Sequence, residues 1–86
     1  MDGRALVAWN LRRVRVKSGL SQERLAFDAQ VDRSYVGGLE RGEENPTVDI
    51  LDRLATTLDV PLVEFFKAPP PGTKRPEALP KGRRKS

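Results

Sequence analysis

Neither His nor Cys occurs in the 86 residues, so the side chains that could do chemistry here are recognisers rather than reactants. Without thiols there is no disulfide and no cysteine nucleophile. Without His or Cys, a zinc site and imidazole acid–base catalysis lose their usual groups. The chain shows no nucleophile–base pair, no metal-ligand cluster and no phosphate-cradling glycine loop, so we expect no enzyme, no metal and no cofactor. What stands out is a run of hydrogen-bonding groups, Asp32-Arg33-Ser34-Tyr35. An arginine can bond a guanine edge bidentately, which is worth about 1–3 kcal/mol of discrimination. Ser34 can read a base edge or bond a phosphate. Tyr35 can place its hydroxyl on a phosphate or its ring on a thymine methyl, or it can brace the helix that carries it. Asp32 suits capping better than reading, because a bare carboxylate repels phosphate.

The elements that must position this run are legible around it. Val7, Leu11 and Val14 recur at helical spacing, which predicts a first helix over about 4–17, stopped by Gly19. Ser21 caps a second helix that turns Leu25, Ala26 and Ala29 inward, although Arg24 at the third position leaves its capping box incomplete. Gln30 and Val31 form a tight turn. Asp32 caps a third helix ending at Gly42. Thr47 caps a fourth, burying Ile50, Leu51, Leu54, Ala55 and Leu58, and Pro61 opens a fifth from Leu62 to about Lys67. The second and third helices thus form a helix-turn-helix that presents the end of one helix, the arrangement that enters a DNA major groove. The expected fold is all-α with five short helices over 1–67. Residues 68–86, with five prolines and little apolar content, read as a flexible, disordered basic tail.

Charge follows the same division. Up to Lys67 there are 10 Lys/Arg against 11 Asp/Glu, whereas the tail has 6 against 1. The formal net charge of +4 therefore says little about the folded part. The local distribution says more. Arg12, Arg13, Arg15 and Lys17 cluster near the end of the first helix, while Glu43, Glu44, Asp49 and Asp52 lie beyond the third. Arg12, Arg13 and Arg41 are candidates for phosphate contacts. The tail cations can add sequence-independent attraction to DNA. Neither a long apolar run nor a signal-peptide pattern is present, which predicts a soluble, cytoplasmic, nucleoid-associated protein with no membrane partner.

LSQERLA at Leu20–Ala26, RSYVGGLERG at Arg33–Gly42, NPT at Asn45–Thr47 and LATTLDVP at Leu54–Pro61 together resemble the Cro/repressor, or xenobiotic-response-element, helix-turn-helix family. The implied fold is the five-helix lambda-repressor-like DNA-binding domain. RSYVGGLERG is most similar to the controller proteins of restriction–modification systems, which bind DNA as dimers and regulate their own promoters. The resemblance implies a phosphate contact for Gln22, an ion pair of Glu40 with Arg15 that locks the first helix to the third, and double-stranded DNA and a second copy as partners. With no ligand-sensing domain, no small-molecule ligand is expected.

Two features qualify this reading. The family often carries a long polar reader where Gly37-Gly38 stands. Glycines there allow either close approach of the helix to DNA, which we favour, or close packing inside the domain, and they confine the reading surface to Arg33–Tyr35. Leu62, Val63, Phe65 and Phe66 are too apolar for one very short helix, so part of that surface is expected to meet a second subunit. An antitoxin or antiactivator that grips another protein with the same fold is the alternative function.

Overall fold

The computed structural model describes residues 1–74. Four α-helices account for its regular structure, α1 Gly3–Lys17, α2 Gln22–Ala29, α3 Arg33–Glu40 and α4 Val48–Leu58, followed by a 3-10 segment, Leu62–Phe66. No strand occurs among the described residues. The expected fifth helix is therefore corrected to a 3-10 turn. Pro61 stands before it in extended backbone without a side-chain cap, and the carbonyls of Phe65 and Lys67 are taken by the Asn10 side chain, so nothing favours a further α-helical turn.

Side-chain caps start each α-helix by satisfying a free backbone N–H. Ser21 accepts from Arg24 N at 2.9 Å and Thr47 from Ile50 N at 3.1 Å. Asp2 accepts from Ala5 N at 2.9 Å, which sets the start of α1 a residue earlier than apolar spacing alone suggests. Asp32 accepts from Ser34 N at a longer 3.4 Å. Gly19 and Gly42 adopt φ of +77° and +75° just past α1 and α3, where a Cβ would be strained.

The helices close around one core. Ala5, Val7, Ala8, Leu11 and Val14 of α1 meet Leu25, Ala26 and Ala29 of α2, Val36 and Leu39 of α3, Leu51, Leu54, Ala55 and Leu58 of α4, and Phe65. Ile50 is half-buried and packs on this cluster from outside. α3 lies against α1 and α2, while the 3-10 segment lies against α1 and α4. Residues 68–74 form no helix, only a turn in which Thr73 N donates to Pro70 O. The remainder of the expected tail, 75–86, lies outside the described residues.

Candidate nucleic-acid interface

α3 is held at its far end and free at its first turn. Arg15 of α1 grips Glu40 bidentately, Nε to Oε2 at 2.6 Å and Nη2 to Oε1 at 3.0 Å, and its Nη1 donates to Leu20 O at 2.8 Å. The Glu40 side chain is only 2% exposed. Gln22, at the first turn of α2, donates Nε2 to Glu40 Oε1 at 3.0 Å. An ionised carboxylate only accepts, so this contact fixes which way the Gln22 amide faces. One cluster thus ties α1, α2 and α3 together, and burial keeps water from competing for it.

Arg33 and Ser34 stand exposed at the opposite end of α3, and no side chain among the described residues engages the Arg33 guanidinium. Tyr35 is half-buried against the core cluster. Burial first, and then the nearby Glu44 carboxylate, push its hydroxyl above the usual pKa of 10.0, so it is a neutral donor at physiological pH. Bracing and contact are compatible at this residue, because the ring faces the core while part of the side chain remains open. Tyr35 and Ser34 border an open depression of about 330 Å³ that Asp32, Glu44 and Arg53 also line.

The cations sort into two groups. Arg12 is exposed and has no ion-pair partner among the described residues. Arg41 is exposed and pairs with Glu43 at 3.1 Å, a solvent-screened contact that a phosphate can replace at little cost. Arg13 differs. Its guanidinium donates to Asn10 Oδ1, Glu64 O and Glu64 Oε1 and lies over the Trp9 ring. These bonds spend Arg13 on docking the 3-10 segment, and we withdraw it from the phosphate-contacting set.

The glycine pair also needs correction. Gly37 and Gly38 are buried within the protein. A Cβ on Gly37 would lie 3.2 Å from Arg41 Nη1 and 3.7 Å from Gln22 Oε1, and one on Gly38 would lie 2.9 Å from Glu44 Oε2. The missing side chains make room for neighbours in the same chain rather than for the closely approaching duplex favoured above. Sequence spacing carries no sign of this, because Arg41 and Glu44 fold back over α3 from the residues that follow it.

The apolar quartet near residue 65 divides as well. Phe65 is fully buried in the monomer core, so it is removed from the candidate dimer surface. Leu62 is half-buried against that core. Val63 and Phe66 are 61% and 46% exposed. Phe66 faces a shallow apolar depression shared with Val7, Pro46, Val48 and Leu51. Val48, itself exposed, is absent from the expected surface because it lies outside the α4 apolar stripe.

This architecture is that of a helix-turn-helix domain, and comparison with known proteins agrees. The HTH_3 helix-turn-helix family model matches residues 11–65. The chain is 44% identical over 65 residues to the uncharacterized HTH-type transcriptional regulator y4dJ of Sinorhizobium fredii, covering 76% of this chain and 84% of that one. It superposes with a TM-score of 0.71 on the restriction–modification controller protein C.AhdI from Aeromonas hydrophila, at 46% identity and covering 73% and 96% of the two chains. The controller protein C.Esp1396I, solved as a tetramer with its natural 35 base-pair operator, matches with a TM-score of 0.70 at 32% identity, covering 77% and 87%. The chain belongs to the HTH_3 family of helix-turn-helix DNA-binding transcriptional regulators. Among the described residues no helix is long and apolar enough to cross a membrane.

Proposed function

We propose that this protein is a non-enzymatic, cytoplasmic, nucleoid-associated regulator that binds an inverted-repeat operator as a homodimer and controls its own promoter. The observation that carries the reading is the pairing of a free tip with a fixed base. Arg33 and Ser34 are exposed at the amino end of α3, while Glu40 at its other end is clamped by Arg15 and Gln22. A reader held this rigidly loses little conformational freedom on docking.

In this reading Arg33 bonds a guanine, and Ser34 and Tyr35 complete the contact to the adjoining base or phosphate. Gln22 keeps one N–H beyond its bond to Glu40 and offers it to a phosphate beside the groove. Arg12 and Arg41 supply further backbone contacts. Val63, Phe66 and the flank of Leu62 meet the same surface of a second copy, supported by their exposed apolar area and by the oligomeric state of the operator-bound relative C.Esp1396I. A two-fold axis then places two α3 tips about 34 Å apart, one helical turn of DNA. Bound over a promoter such a dimer blocks polymerase, and bound just upstream it can recruit polymerase.

Footprinting on the DNA immediately upstream of the protein's own gene tests the proposal. The expected result is protection of two symmetry-related half-sites at concentrations that leave random DNA open. Uniform protection without half-sites contradicts it.

A further inference from the structure

Gly38 lies one helical turn after Ser34 on α3, so the two share a face. A groove-reading helix with glycine there presents no side chain of its own on its second turn. The space is nevertheless filled. The Cβ that Gly38 lacks would sit 2.9 Å from both Cγ and Oε2 of Glu44 and 3.3 Å from its Cδ. Glu44 also borders the depression lined by Ser34 and Tyr35. No hydrogen bond or ion pair among the described residues engages its carboxylate, and its side chain remains partly open to solvent. An unpaired acceptor therefore rests where a second-turn reader would begin.

We propose that Glu44 is a specificity-determining residue whose carboxylate, laid across Gly38, accepts a hydrogen bond from the exocyclic amino group of a cytosine next to the base pair met by Ser34. This rests on the proposed operator-binding function. A carboxylate is the acceptor matched to cytosine N4, the major-groove donor of a C·G pair. It rejects the guanine and thymine edges at that position, whose exposed oxygens are acceptors too. Gly38 is then the residue that admits the reader, and the reading surface extends beyond Arg33–Tyr35.

The test uses the full chain and a fluorescein-labelled operator half-site series in which each base pair is exchanged in turn. Dissociation constants are measured for the native protein, Glu44→Gln, Glu44→Ala and Gly38→Ala. The native protein is expected to lose roughly 5- to 150-fold in affinity when one particular C·G pair is replaced. Both Glu44 variants should lose that preference and keep the one set by Arg33. Gly38→Ala retains the carboxylate but pushes it aside, and it favours the helix, so it should fold and lose the same preference. If the Glu44 variants instead bind every sequence more tightly by one factor, the carboxylate only repels phosphate and the proposal fails. A selectivity profile unchanged in the Glu44 variants, or in Gly38→Ala, also overturns it. A native protein that binds operator and random DNA equally overturns the operator-binding function itself, and does so before any variant is compared.

Discussion

Arginines of equal charge do different work here, and their neighbours decide which. Arg15 faces a carboxylate that is 2% exposed. Removing one side of such a pair leaves a buried charge, so Arg15→Met should lower unfolding free energy by about 3 kcal/mol or more in urea titrations, with Glu40→Leu in the same chain recovering much of the loss. Arg13 and Arg41 form a second contrast. Arg41→Ala should reduce the slope of log affinity against log salt by about 1, the signature of one lost phosphate contact. Arg13→Ala should leave that slope unchanged and lower the melting temperature instead. The residue types alone do not separate these roles. Arg13 is distinguished only by Glu64, which is 51 positions away and invisible to local spacing, whereas the turn chemistry that exposes Arg33 lies wholly within Asp32–Tyr35.

The helices were legible because their signals are local. Ser21, Asp32 and Thr47 each mark the residue before a helix, and the apolar periods of α1 and α4 name their buried faces. The 3-10 segment was less so. Five residues contain no measurable period, and Phe65 and Phe66 differ only in which side of a tight turn they occupy. Asn10 decides it. Fully buried, it donates to the Phe65 and Lys67 carbonyls at 3.1 and 2.9 Å, fixing Phe65 inward and Phe66 outward. Phe65→Ala should therefore cost about 3–5 kcal/mol of stability, while Val63→Glu should leave the monomer folded and abolish dimers in sedimentation experiments. Acid should also act at this segment. Hydrogen bonds from Lys67 and then Arg13 hold the Glu64 carboxyl below its ordinary range. A carboxylate depressed in the folded state stabilises above its unfolded pKa and is lost as pH falls through the folded value. Native-state hydrogen exchange of Phe65 and Phe66 should accordingly quicken as the pH drops below about 4.

At the scale of the whole molecule, a nearly neutral folded domain reads DNA through placement rather than through overall attraction. Its cations are few, so its discrimination between sequences rests on α3, and dimerisation doubles that reading by placing a second tip along the same duplex. The steepness of any response then comes from protein concentration, since half of the contacts require a second copy. The central claim is that Arg33 reads a base. Titrating native protein and Arg33→Ala against operator and random DNA at one salt concentration tests it most directly. The account predicts a loss of about 1–3 kcal/mol per half-site on the operator, relaxed choice at a single base pair, and little change on random DNA. An equal loss on both DNAs would contradict it and reduce Arg33 to a phosphate contact.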